Sequence, residues 1–280
     1  MLEVPNHDQK INEHYGQGNL ATAILEALRS AGKYHNLTED DLIPADQFHI
    51  GGKAATIELA SLANITSNMN ILDVGGGIGG PARTLASTFG CKVEVLDLTE
   101  EYCRVGEQLT VKTEYRDLVS FRHGSALDLP YSHRCFDLVW TQHSSMNISD
   151  KNRLYSEIYR VLKSGGKLAM HEIMSGKNSP IHFPVPWARH PAISFLSQPE
   201  EIRSLLLTLG FKEIAWQDET DQAIESFRKA MKASDNSIES PLGLQLLLGK
   251  DYKQMLQNQL RNLEEEKIAV IKAVFEKVEA

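Results

Sequence analysis

A doubly wound α/β fold with a mostly parallel sheet is predicted by three observations on this 280-residue chain. Apolar strand-like runs alternate with helical stretches from Asn70 to Ile173, the rhythm of successive parallel βαβ units. The first of these strands, Asn70 to Val74, stops in a turn made almost wholly of glycine, Gly75-Gly76-Gly77-Ile78-Gly79-Gly80. Glycine tolerates positive φ and leaves no Cβ between the backbone and whatever lies above the turn. A strand, a glycine turn and a helix in that order hold nucleotide-type cofactors at the carboxyl edge of a parallel sheet. Finally, no linker, internal repeat or low-complexity tract divides the chain, so one domain with insertions is the simplest organisation.

The elements follow in order. Leu20 to Ser30 has helical periodicity, with Ile24, Leu25 and Leu28 on one face. Tyr34 to Asp46 is polar and turn-rich, and His49-Ile50-Gly51-Gly52 leads into a helical stretch from Lys53 to Ala63. After the glycine turn come a helix from Pro81 to Thr88, a strand from Lys92 to Leu98, and a helix from Glu100 to Glu114 with acids in its first turn. Val119 to His123 and Phe136 to Gln142 read as the third and fourth strands. A helix from about Lys151 to Leu162 is closed by Lys163-Ser164-Gly165-Gly166, and the fifth strand runs from Lys167 to Ile173. Ser175 to Gln198, with Pro180, Pro184, Pro186 and Pro191, is too long for an ordinary connection and reads as an ordered insertion or lid. Pro199 to Leu209 is a helix with proline at its start, and Gly210 closes it before a strand from Phe211 to Gln217. Asp221 to Ala233 and Lys250 to Glu265 look helical, Ser234 to Gly249 is ambiguous, and Lys267 to Val278 reads as a strand.

Composition bounds the function. A hydrophobic content of 42% and a charged content of 24% are those of an ordinary globular protein. A net charge of −8 with scattered lysines and arginines argues against nucleic acid as a partner. Cys91, Cys103 and Cys135 form neither a pair nor a metal-ligand spacing, and no metal is expected. No apolar run approaches the ~20 residues of a membrane span. Met1 to Lys10 lacks an apolar leader, so a cytoplasmic protein is expected.

The glycines admit two readings. Gly75, Gly77 and Gly80 fit the G-x-G-x-x-G of dinucleotide binders, whereas Gly75, Gly77 and Gly79, preceded by Asp73, fit the D-x-G-x-G-x-G turn of S-adenosylmethionine (SAM) enzymes. Such a turn also serves close strand–helix packing. Asp97 ends the second strand, where a carboxylate accepts both hydroxyl hydrogens of a ribose in either kind of enzyme. An acid there could instead cap the next helix, but Thr99 is available for that cap. Asp73 can pin the turn and reach toward an amino-acid ammonium, which favours SAM.

The segments DVGGGIGG, VEVLDL, GSALDLP, FDLVWTQHSSMNI and VLKSGGKL stand in family order from Asn70 to about Ile173. In these the chain resembles class I SAM-dependent methyltransferases. The resemblance implies a seven-stranded, Rossmann-like sheet whose final strand is antiparallel, with residues 1–66 as an N-terminal helical segment and cofactor lid. Residues 67–280 would then be the methyltransferase domain, with an acceptor lid at about 175–198. Asp73, Gly75, Gly77 and Gly79 would cradle the methionine portion of SAM, and Asp97 would bind the ribose. Leu98 would pack on the adenine, Ser125 and Ala126 would meet its amino edge, and His49, Gly51 and Gln142 would complete the cofactor set. Many members carry Asp where this chain has Ser125, so a weaker adenine contact is expected.

Within the superfamily, His14-Tyr15, the run Gln47 to Gly52 and the turn GGGIGGPAR are similar to sarcosine/dimethylglycine and phosphoethanolamine N-methyltransferases, and more distantly to tocopherol-type C-methyltransferases. In the phosphoethanolamine group an N-terminal Tyr and a His after the fourth strand form a catalytic pair. Tyr15 matches the Tyr, but Asn147 stands at the His position and His143 lies four residues earlier. His143 is the candidate base, or else a group that only shapes the cofactor pocket. His171 and Glu172 are strand neighbours pointing to opposite faces, and one of them could reach the acceptor, or both could be core or supporting groups. Trp187 could bind a methylated ammonium by cation–π contact, as could Phe183, and Arg189 could clamp a carboxylate; alternatively Trp187 and Phe183 form the lid's own small core. The expected activity is methyl transfer to a small-molecule acceptor, foremost an amine nitrogen, by a protein free to form a homodimer. O- or C-methylation, a non-catalytic SAM-binding protein and a nicotinamide oxidoreductase are the rivals.

Overall fold

The computed structural model describes residues 7–16, 18–33, 37–234 and 241–278. Four helices precede the sheet: α1 (His7–Tyr15), α2 (Leu20–Ser30), α3 (Glu39–Asp46) and α4 (Gly52–Ala63). Then follow β1 (Asn70–Val74), α5 (Gly80–Phe89), β2 (Lys92–Asp97), α6 (Glu100–Thr110), β3 (Val119–His123) and β4 (Phe136–Gln142). A short 3₁₀ turn, Ser145–Asn147, leads to α7 (Lys151–Val161), β5 (Leu162–Ser175), α8 (Pro199–Thr208) and β6 (Phe211–Asp218). The chain ends with α9 (Thr220–Ser234), α10 (Gln245–Leu248), α11 (Tyr252–Glu264) and β7 (Ile268–Lys277).

The strands form one seven-stranded sheet in the order β3-β2-β1-β4-β5-β7-β6. The first five are parallel, and β7 enters between β5 and β6 antiparallel to both. That antiparallel insertion is the one the methyltransferase resemblance implies and counts against the oxidoreductase reading. Because β2 and β3 lie on one side of β1 and β4 on the other, the strand order reverses between β1 and β4. A crevice opens there at the carboxyl ends.

Strand alternation splits the core in two. Leu72, Val139, Leu168 and Met170 face α7 and α8, whereas Ile71, Leu138, Trp140 and Ala169 face α4 and α5. Each fully buried Leu or Ile contributes roughly 1.5–3 kcal/mol over leaving it in water.

Two stretches differ from expectation. The polar run before Asp46 contains α3. Its start is fixed by a capping box in which Asp41 accepts the Thr38 N–H at 2.9 Å, and Leu42 is buried beneath it. Gly165 and Gly166 do not cap α7. That helix ends at Val161 because Leu162 is already extended and paired with Phe136, and the register then jumps to Leu138 opposite Lys167. The glycines form a bulge inside β5, with Gly165 at φ +71°. The ambiguous stretch before Gly249 holds α10, and its residues 235–240 lie outside the described ones.

Candidate active site

Two adjoining lobes of about 830 Å³ and about 470 Å³ open above the β1/β4 reversal. Phe48, Gly75, Gly77, Tyr102 and His143 border both.

In the larger lobe, Asp97 ties two turns together. Its Oδ2 accepts the Gly77 N–H at 2.9 Å and its Oδ1 accepts the Thr99 N–H at 2.8 Å. Thr99 occupies the N-cap of α6 with no side-chain bond, so the expected division of labour is altered: Asp97 serves the turn at the helix start and still faces the lobe. Burial raises its pKa while the two N–H bonds lower it. Leu98, Ser125 and Ala126 line the same lobe, and the Ser125 hydroxyl accepts the Leu127 N–H at 3.2 Å.

The smaller lobe is built over Asp73. This carboxylate is 1% exposed, neither oxygen has a hydrogen-bond partner, and burial followed by the nearby Asp97 charge pushes its pKa up to about 8. Asp73 therefore does not pin the turn through hydrogen bonds; a Cβ on Gly76 would strike it at 2.4 Å. A buried acceptor without a donor has the chemistry to receive the ammonium of an amino-acid cofactor. Gly77, at φ +59°, has no atom closer than 3.8 Å where a Cβ would stand, so its upper face is open. These two features fit SAM: Asp73 with the Gly75–Gly77 backbone for its amino-acid end, Asp97 for its ribose, and the 124–127 segment for its base.

Not every expected cofactor residue reaches the cleft. Gly79, at φ +84°, starts α5 and faces the Phe121 ring, where a Cβ would come within 2.5 Å. Gly51, at φ +80°, caps α4 and packs on Ala55. Both glycines shape the turns behind the site and border neither lobe. His49 and Gln142 do border the smaller lobe. The Gln142 amide oxygen accepts from Thr56 at 3.1 Å and Trp140 at 3.2 Å, which leaves little freedom for its side chain.

His49, His143 and His171 gather in one cluster, with ring centroids 4.8 Å apart for His143–His171, 6.2 Å for His49–His143 and 6.4 Å for His49–His171. Burial holds all three neutral, reinforced at His143 by His171 and His49 and at His171 by His49 and Lys272. The pKa of His49 is lowered to about 4, that of His171 to about 3, and that of His143 falls well below its usual value. His143 faces the cleft from a left-handed backbone at φ +51°, a strained position for a non-glycine residue, with its N–H bonded to the His171 carbonyl at 2.8 Å. His171 lines neither lobe; it lies behind Gln142, 3.6 Å from Glu219.

The far end of the larger lobe is closed by α1, which contributes Asp8, Ile11 and Tyr15, together with Phe48, Tyr102, Asn147 and Ile148. The Tyr15 hydroxyl donates to Asn147 Oδ1 at 2.9 Å. Asn147 Nδ2 in turn donates to the carbonyls of Trp187 and Ile193, both at 2.8 Å. Two carbonyl acceptors leave the amide only one orientation, so Oδ1 must point at Tyr15. Burial raises the Tyr15 pKa, which keeps the phenol protonated.

The insertion at 175–198 sits one layer back and supplies no residue to either lobe. Trp187 is 1% exposed, donates its indole N–H to Ser194 at 3.0 Å and packs among Ile11, Met146 and Ile193. Arg189 is paired with Asp251 and with the Leu248 carbonyl at 3.0 Å. Neither side chain meets the cleft, so the expected aromatic and carboxylate contacts to an acceptor are not made from this segment. Phe48, from the Gln47–Gly52 run, and Tyr102 do meet it. Tyr102 is signalled only by its place on the buried face of the amphipathic α6.

Residues 72–170 match the family described as Methyltransferase domain. A sarcosine/dimethylglycine N-methyltransferase of Halorhodospira halochloris is 29% identical over 228 residues, covering 75% of this chain and 82% of that protein. A glycine/sarcosine/dimethylglycine N-methyltransferase of Actinopolyspora halophila is 27% identical over 219 residues; these are 78% of this chain but only 38% of that longer protein. Among solved structures, phosphoethanolamine N-methyltransferase 2 of Haemonchus contortus, with phosphomonomethylethanolamine and S-adenosylhomocysteine bound, superposes with a TM-score of 0.71 at 18% identity, covering 100% of this chain and 62% of that one. Domain match, strand order and the orphaned acid beneath an open glycine turn agree, and residues 72–170 carry a SAM-dependent methyltransferase domain within a sheet of the class I order.

Proposed function

We propose that the chain methylates the nitrogen of a small amine in the cytoplasm. The observation that carries this reading is the Tyr15–Asn147 pair. With its proton committed to Asn147, the Tyr15 oxygen offers only lone pairs to the lobe, and those accept an N–H. When bound, SAM supplies an activated methyl group on a sulfonium. The chain's own task is alignment: Tyr15 orients the acceptor, and the Phe48 and Tyr102 rings exclude water around it. An amine that has given up its ammonium proton to water attacks with its lone pair and loses a second proton to water afterwards, so no strong base is required in the transfer step. A hydroxyl acceptor would need one during the attack. The imidazole of His143 is too weak for that, and Asp97 is held by two N–H groups. His143 is thus assigned to shaping the site and not to proton abstraction. Similarity to N-methyltransferases supports the same choice. Free cysteines at Cys91, Cys103 and Cys135 fit a reducing compartment. An acceptor screen of amines, phenols and carboxylic acids, read by S-adenosylhomocysteine release, tests the reading. Turnover is expected with amines, and turnover confined to phenols or acids sinks it.

A further inference from the structure

The walls around Tyr15 also say what the amine must lack. Among the described residues, no lysine or arginine borders either lobe. The buried and half-buried cations nearest the lobes are committed elsewhere, and exposed Arg104 of α6 borders neither lobe. Lys151 donates to the carbonyls of Ser145, Ile148 and Phe195 at 2.6, 2.5 and 2.8 Å. Arg83 is spent on Asp46, Thr110 and the Ile78 carbonyl, and Arg189 on Asp251 and the Leu248 carbonyl. On α1 the lining residues Asp8, Ile11 and Tyr15 share one helical face, and Lys10 lies off it. Histidine supplies no charge either: burial holds His14 down to about 4, and it contacts the Pro186 carbonyl at 3.1 Å, while the His49–His143–His171 cluster is neutral.

The charges that do face the cleft are negative. Asp97 lies in the wall and Asp8 at the mouth. An acceptor bearing a carboxylate or phosphate would lose hydration there, find no lysine or arginine counter-ion and face Asp8, since Asp97 is taken up by the ribose. A positively charged methylated product meets the opposite situation: Asp8 and the rings of Tyr15, Phe48 and Tyr102, whose centroids lie 5.8 Å (Tyr15–Tyr102) and 6.5 Å (Tyr15–Phe48) apart.

We infer that the acceptor is an amine without an acidic group, with an apolar or hydroxyl-bearing remainder, unlike the amino acids and phosphobase named for the similar proteins. This rests on the N-methylation reading and narrows it.

Matched pairs test it: phenethylamine against phenylalanine, and ethanolamine against phosphoethanolamine. Each pair keeps the amine and removes only the acid. S-adenosylhomocysteine release and thermal-shift binding to the S-adenosylhomocysteine-loaded protein are both read. The acid-free member of each pair is expected to be favoured at least about 100-fold in kcat/KM, or in affinity where turnover is slow. Replacing exposed Asp8 by Arg is expected to narrow that ratio several-fold by placing a cation at the mouth. Equal or better use of phenylalanine or phosphoethanolamine overturns the inference and leaves N-methylation standing. Turnover of a phenol or an alkene with no amine active removes the N-methylation reading itself, and this inference with it.

Discussion

At the residue scale, the acid under the turn makes the sharpest forecast. Asp73 is held protonated in the ligand-free protein, with its pKa up at about 8 against an ordinary 3.8. The folded state therefore binds more protons than the unfolded chain between those values, and this group's contribution to stability falls as pH rises from about 4 to about 8. An incoming ammonium reverses the balance by favouring the carboxylate. Binding of S-adenosylhomocysteine near pH 7 is expected to release a proton, seen as a dependence of calorimetric heat on the buffer's ionisation enthalpy. Asp73→Asn should abolish that dependence; a wild-type heat independent of buffer would remove the charged pair from the site. Asp97→Ala is expected to weaken cofactor binding at least about 30-fold, because it removes the ribose acceptor and leaves the Gly77 and Thr99 N–H groups unpaired. Unchanged affinity by titration calorimetry would place the ribose elsewhere. Both acids are legible in the sequence because a glycine turn and a strand end fix their neighbours locally. Tyr15 and Asn147 are legible only through a resemblance, since the bond joining them spans 132 residues.

At the element scale, periodicity places the strands within a residue or two except β5, which begins at Leu162, five residues before the expected Lys167, and it fails where local chemistry overrides it. The helix α3 has no apolar stripe to read, only a capping box and Leu42. The 175–198 insertion was legible as ordered from its prolines, but which way it faces depends on contacts made by other elements. Asn147 and Lys151 supply those contacts. Lys151 ties the 3₁₀ turn that carries Asn147 to the Phe195 carbonyl. Its pKa drops to about 8 mainly by burial, so the three charge-assisted bonds are offset in part by lost hydration. Lys151→Met is expected to cost about 2–3 kcal/mol in urea unfolding and to raise the KM for the acceptor more than that for SAM. An unchanged midpoint, or equal effects on both KM values, would show that the strap is held by something else.

At the scale of the whole molecule, the contacts between the N-terminal helices and the sheet predict one cooperative unit and not a core with a detachable cover. The junction is α3 on α5. Arg83, 0% exposed, reaches back to Asp46 at 2.9 Å, and a Cβ on Gly80 would stand 2.0 Å from the Asp46 carbonyl oxygen. The last glycine of the turn thus serves contact between helices and not the cofactor, a role the spacing of glycines cannot reveal. Burial drives the Asp46 pKa up against the opposing pull of Arg83, so the pair adds little net stability intact, yet removing one partner strands the other charge in the core. Asp46→Ala is expected to cost about 3–5 kcal/mol. Because α3 leads directly to Phe48 and His49 at the cleft, the same variant should lose affinity for S-adenosylhomocysteine. The two helices and the sheet should still unfold in one denaturant transition, followed by circular dichroism and by tryptophan fluorescence together. Gly80→Ala, which leaves the ion pair's chemistry intact, should reproduce the loss through geometry alone. Two separated transitions in the wild type, or a Gly80→Ala variant with wild-type stability and affinity, would show that the N-terminal helices ride on the sheet without being built into the site.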